Sequence, residues 1–155
     1  MANLNGPAQT VIAGDKAAID RAVVLAKERG ARKATLLAVS APFHSPLMRP
    51  AREGMTPLLA ATMFRDPRVP VVTNVDAAPV TTGEAARDAL VRQIDSPVRW
   101  VETVQKLARD GMAKQVEFGP GNVLAGLAKR IDKAVETYPL YDPATLQAAL
   151  AAAGA

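Results

Sequence analysis

The single histidine among 155 residues, His44, lies in "SAPFHSPLM", the stretch from Ser40 to Met48. Imidazole titrates near neutrality, which suits it to take a proton from one group and hand it to another. A histidine in such a loop has a second use, bonding a backbone carbonyl and closing the loop. A base needs something to activate, and the chain offers three serines, Ser40, Ser45 and Ser96, and no cysteine. None of the three sits in a Gly-x-Ser-x-Gly turn, the sharp bend that exposes a hydroxyl above a sheet. Ser45 neighbours His44 along the chain, which does not aim its hydroxyl at the ring. Ser96 precedes Pro97 and reads as a helix N-cap, whereas Ser40 ends an expected strand and is the least excluded. The residues thus give a base without a convincing nucleophile.

"EFGPGNVLAG" follows an expected strand and opens a helix, as dinucleotide-binding turns do. Gly119 and Gly121 are in place, but Leu124 stands where the third glycine belongs, and no phosphate-loop lysine follows. A tight turn needing small residues is the simpler reading, with amides that could still meet an anion. Without cysteine there are no disulfides or thiolate sites, and one histidine leaves zinc or haem poorly supplied.

The elements around these residues alternate between strand and helix, with strands expected at Gln9–Gly14, Lys33–Val39, Val69–Val75 (read as buried), Lys114–Phe118 and Ala134–Leu140. Helices are expected from Asp15 to Gly30, from Leu47 to Phe64 with Pro50 in the first turn, and from a Thr81–Glu84 capping box onward. Another follows the Ser96–Pro97 cap as far as Gly111, one runs through "NVLAGLAKRI", and a short alanine-rich helix forms the tail from Asp142. Strands separated by helices pair in parallel through right-handed crossovers. The strands are too few for a full two-faced sheet, and the pair within Gln9–Val39 reads as belonging to a small sheet of its own.

With 49% hydrophobic residues the chain can build one core, and no run approaches the roughly 20 apolar residues that span a bilayer. The start, "MANLNGPAQT", lacks the charged and apolar regions of a secretory signal, so a cytoplasmic location and no membrane partner are expected. A net charge of +4 suits an acidic partner. Scattered basic pairs and six aromatic residues argue against nucleic acid.

Taken in order, "ANLNGPAQTVIAG", "VSAPFHSPLM", "VPVVTNVDAAPV", "ALVRQIDSPVRW" and "EFGPGNVLAGLAKRI" resemble the malonyl-CoA:acyl-carrier-protein transacylase family, over Ala2 to about Tyr138. In that family a serine attacks the malonyl thioester, and the acyl group passes to the phosphopantetheine thiol of acyl carrier protein, in fatty acid biosynthesis. The resemblance implies that His44 is the catalytic histidine and that the backbone carbonyl of Gln93 orients it. It implies that Phe43 accompanies malonyl selectivity and that Asn3 and Asn5 line the cleft. Malonyl-CoA enters as a substrate, and no permanently bound cofactor is expected.

The family's nucleophile elbow, oxyanion glutamine and carboxylate-binding arginine precede the segment that matches "ANLN". The resemblance therefore implies a C-terminal half with an α/β fold, comprising a partial hydrolase-like parallel sheet with helices and part of a ferredoxin-like small subdomain. Residues 1–40 would belong to the small subdomain and residues 41–155 to the acyltransferase core. Such a half is expected to be inactive alone and to associate with itself or with the missing N-terminal half. The alternative is a non-catalytic module that docks acidic acyl carrier protein.

Overall fold

The computed structural model describes residues 1–154. The amphipathic stretches fold as helices α1 (Lys16–Glu28), α2 (Arg49–Ala61), α3 (Gly83–Gln93), α4 (Trp100–Arg109), α5 (Val123–Ile131) and α6 (Pro143–Ala153). A 3₁₀ turn, Pro46–Met48, leads into α2, where Pro50 fits because a first-turn residue has no intrahelical use for its N–H. None of these helices is long and apolar enough to cross a membrane.

The strands form three two-stranded sheets among the described residues. β1 (Asn3–Gly6) pairs antiparallel with β2 (Gln9–Val11), and β3 (Val71–Thr73) pairs antiparallel with β4 (Ala78–Val80). Only β5 (Lys114–Phe118) and β6 (Glu136–Leu140) show the expected parallel crossover, with α5 between them. The two hairpins correct the expectation of crossovers throughout: Pro7 and Ala8 turn one tightly, and in the other the four residues Asn74–Ala77 reverse the chain, with the Ala77 N–H bonded to Thr73 O at 2.8 Å.

Lys33–Val39 is not a strand. It has strand-like composition but no ladder partner among the described residues, and propensity without a paired edge leaves only loose chain. Val69 and Val71, read as buried, are 69% and 45% exposed, Val69 lying before β3 begins. The cap of α3 is Thr82, one residue beyond the expected Thr81, and its Oγ1 accepts the N–H of Ala85. Ser96 does not cap α4, which begins four residues later at Trp100, because the chain first runs alongside β1: Leu4 N–H donates to Val98 O, and Val98 N–H donates to Ala2 O. The tail helix α6 has a reciprocal cap between Asp142 and Thr145; its final residue, Ala155, lies outside the described residues.

The start of α3 lies against the segment that follows α2, and Gly83 permits this because it has no side chain: a Cβ there would stand 2.2 Å from the carbonyl oxygen of Phe64. The core itself is thin. Among the described residues Val104 is the one fully buried large side chain, joined by Leu127, Val135 and several alanines around α4, α5 and β6. The chain exposes 10450 Å², whereas a compact monomer of 16.3 kDa exposes about 7,500 Å². Much of the excess is apolar, with Leu36, Leu37, Met63, Phe118 and Val123 all more than half exposed. Within α4 and β5, the buried nitrogens Trp100 Nε1 and Gln115 Nε2 find no acceptor.

Candidate active site

The residues around His44 form a tight, internally bonded loop. Pro42 and Pro46 restrict the backbone on either side, and the buried Ser45 donates its hydroxyl to Pro42 O at 2.7 Å. Ser45 also accepts the N–H of Met48 at its carbonyl, which starts the 3₁₀ turn. The consequence falls on His44, whose φ of +57° lies in the left-handed region that a side chain with a Cβ seldom adopts. Such a conformation costs on the order of 1–3 kcal/mol and persists only where its surroundings impose it.

This backbone aims the half-buried ring at the end of α3. His44 Nδ1 lies 3.2 Å from the carbonyl oxygen of Gln93, 49 residues away in sequence. A carbonyl can only accept, so a hydrogen bond here requires the hydrogen on Nδ1, and the neutral ring then keeps its lone pair on Nε2. Gln93 is the last residue of α3, where carbonyls lose their intrahelical partners. Its other prospective donor, Ser96 N–H, stands off at 3.4 Å.

Several bonds hold that corner in place. The Gln93 side chain donates through Nε2 to Ser96 O at 2.9 Å and to Pro97 O at 3.3 Å, bracing the loop that follows its own carbonyl. Arg92 grips Asp76 with two bonds, 2.6 and 2.7 Å, and reaches Asp88 through Nε. Arg99 pairs with Glu102 and donates to Asp76 O, while its own N–H bonds Asn74 O. The β3–β4 turn thereby fastens both sides of the Gln93–Arg99 corner. A further ion pair, Arg52 to Asp95 at 3.2 and 3.3 Å, connects α2 to it.

The guanidinium of Arg92 holds the Asp76 carboxyl below its ordinary value, outweighing the opposing effect of burial, and that of Arg99 does the same for Glu102. A depressed folded-state value stabilises the fold fully above the unfolded carboxylate range, near pH 4, and the benefit is lost as pH falls through the lower folded value. Acidification from about pH 5 to 2 is therefore expected to loosen this corner. Circular dichroism during acid titration checks it: Asp76→Asn should remove part of the pH slope, and an unchanged slope would contradict the pairing.

The other residues singled out from sequence are placed less tightly. Phe43 is 44% exposed beside His44. Asn3 and Asn5 are half-buried on β1, which the Val98 bonds tie to the segment following Gln93. No side-chain hydrogen bond joins Phe43, Asn3 or Asn5 to His44 or Gln93 among the described residues. Of the serines, Ser45 spends its hydroxyl on Pro42, and neither Ser40 nor Ser96 bonds the imidazole. Two of the amides at the start of α5 are taken within the chain, because Glu117 accepts Leu124 N–H at 3.0 Å and Ala125 N–H at 2.8 Å. No grouping suited to a metal ion occurs among the described residues.

His44 lines neither principal hollow. One, of about 60 Å³, lies against Trp100, Gln115 and Thr137, and the other beside α5 and β6. The imidazole is half-buried, and what the loop and corner can do is fix a tautomer and present Nε2. Sequence reading missed the Arg52–Asp95 and Arg92–Asp76 pairs. Charges 43 and 16 residues apart carry no periodic signal.

The model of the acyl transferase domain family matches residues 1–141. The chain is 48% identical over 146 residues to the malonyl CoA-acyl carrier protein transacylase of Haemophilus influenzae, covering 94% of itself and 47% of that protein. Among solved structures, it superposes with a TM-score of 0.94 at 51% identity on the acyl-carrier-protein S-malonyltransferase of Burkholderia pseudomallei, covering 97% of itself and 49% of that chain. It superposes equally, at 0.94 and 44% identity, on a malonyl-transacylase solved in complex with a type II polyketide acyl-carrier protein, again over 97% of itself and 49% of that chain. The chain spans about half the length of these relatives. A family match over nine-tenths of its residues, with malonyltransferases as its relatives, makes the chain a member of the acyl transferase domain family.

Proposed function

We propose that this chain supplies the proton-transfer half of a malonyltransferase that moves malonyl from coenzyme A to the phosphopantetheine thiol of acyl carrier protein. The observation that carries the reading is the 3.2 Å approach of His44 Nδ1 to Gln93 O, which leaves Nε2 as the basic nitrogen. A serine from outside the 155 residues gives its proton to Nε2 as its oxygen attacks the thioester carbonyl. The tetrahedral intermediate collapses, and the imidazolium returns the proton to the departing coenzyme A sulfur. The carrier's thiol then gives its proton to Nε2 and attacks the serine ester, and the serine oxygen leaves with that proton. A main-chain acceptor orients the ring without adding a charge, so each protonation of the ring reverses readily.

In this reading residues 1–40 form part of a small ferredoxin-like subdomain, and residues 41–155 part of a hydrolase-like core. Phe43, Asn3 and Asn5 border the acyl site. The exposed apolar surface is covered by the polypeptide that brings the serine.

The test is reconstitution. The chain is mixed with the N-terminal half of the Burkholderia pseudomallei relative, malonyl-CoA and carrier protein, and the carrier is weighed by mass spectrometry. Malonylated carrier is expected only with both halves present. A complex of the two halves that binds malonyl-CoA without transferring it would overturn the reading. Salt-sensitive carrier binding by this chain without transfer would favour a docking module, which the charge of +4 would suit.

A further inference from the structure

His44 meets Gln93 O through one bond at the long end of the hydrogen-bond range, and that bond joins two segments 49 residues apart. One such contact holds a distance but leaves the segments free to pivot. The same two segments are joined a second time. α2 starts five residues after His44, and Arg52 in its first turn reaches Asp95, two residues beyond Gln93, through Nη1 at 3.2 and 3.3 Å. The Asp95 side chain is only 8% exposed and that of Arg52 is 40% exposed, so the carboxylate is buried against its partner. A buried carboxylate deprived of its partner is costly, which makes the approach of α2 to the corner hard to relax.

We propose that Arg52 and Asp95 are positioning residues for the reaction, a second tether that holds the His44 loop in register with the Gln93 carbonyl and so keeps the imidazole in its Nδ1–H tautomer. The idea rests on the proposed role of His44 as the proton shuttle. Asp95 accepts both contacts from a single nitrogen of Arg52, so lysine, which offers one cationic nitrogen on a flexible stem, can replace the arginine here. The other charged groups of the corner, Arg92, Asp76, Asp88, Arg99 and Glu102, pair among themselves and do not bond the tether. Loss of the tether lets the loop drift from the carbonyl, and the ring then samples both tautomers.

The lone histidine makes the test direct, because ¹⁵N labelling yields one pair of imidazole resonances whose shifts report which nitrogen carries the hydrogen. The full chain is compared with Arg52→Gln, Asp95→Asn and Arg52→Lys, and amide signals of α5 and β6 report whether each remains folded. At a pH where the ring is neutral, the unaltered chain is expected to show Nδ1 protonated. Arg52→Gln and Asp95→Asn should move both shifts toward the mixture of free imidazole, and Arg52→Lys should restore the original pattern. In the reconstituted transferase the first two variants should lower kcat about tenfold with KM for malonyl-CoA unchanged, the scale of one misplaced hydrogen bond. Should Asp95→Asn unfold, Arg52→Gln carries the test from the half-exposed partner. Folded variants with an unshifted tautomer would overturn the tether alone. An unaltered chain that already shows the free mixture would overturn the role of His44, and the tether with it.

Discussion

Replacing His44 with alanine in the reconstituted transferase is expected to lower malonyl transfer by about 10²–10⁴-fold, the range a positioned general base contributes. The loss should appear in kcat and in kcat/KM alike, since the ring acts on protons in flight and makes no uniform contact with bound substrate. Both half-reactions should slow, because in the proposed mechanism the same Nε2 serves the serine and then the carrier's thiol. Rapid quenching separates them: malonyl-serine formation and its transfer to carrier should each be impaired. His44→Gln should behave like alanine, because an amide can reach the Gln93 carbonyl yet cannot accept a proton near neutrality. A His44→Ala enzyme retaining wild-type turnover would show that the strained loop serves folding only.

The isolated chain is expected to associate. Its surface exceeds that of a compact 16.3 kDa monomer by roughly 3,000 Å², several times the roughly 800 Å² that each partner contributes to a stable interface. The side chains on that surface include Leu36, Leu37, Met63, Phe118 and Val123, which water penalises at roughly 25 cal/mol per Å² exposed. Sedimentation should show concentration-dependent species heavier than a monomer, and a hydrophobic dye should bind until the complementing half is added. Malonyl transfer by the chain alone should be absent, as Ser45 is committed to Pro42 and neither Ser40 nor Ser96 bonds His44. A compact monomer with a sharp, cooperative unfolding transition would mean that the apolar residues satisfy one another in solution.

Local chemistry made much of the chain legible. All six described helices were expected: α1 announces itself by 3.6-residue periodicity, α3 by a threonine cap and α6 by its alanines, with stop signals at Gly30 and Gly111, both of which adopt positive φ. β5 and β6 are the expected strands, since each has its partner within the chain. Lys33–Val39 marks the opposite case: the same kind of apolar run forms no strand where no edge receives it. β2 and β3 lie within expected strands, but their antiparallel partners β1 and β4 were missed, being four and three residues long and too short to display an alternation. Ser96 read as a cap because its type and the following proline fit one, while the pairing of Val98 with β1 pushed the helix start to Trp100.

At the site, the residues by themselves pointed to His44 and its loop as a candidate base, and the family resemblance named Gln93 as the residue whose carbonyl was expected to hold it. An imidazole can exchange a proton by virtue of its own chemistry, and flanking prolines restrict backbone whatever lies beyond them. Only the tertiary structure decided that His44 adopts a left-handed backbone, that its Nδ1 comes within 3.2 Å of Gln93 O, and that Arg52 and Asp95 join the same two segments again. Those features need groups 43 to 49 residues apart to meet, and such meetings follow from how the chain folds α2 against the end of α3 rather than from any spacing along the chain.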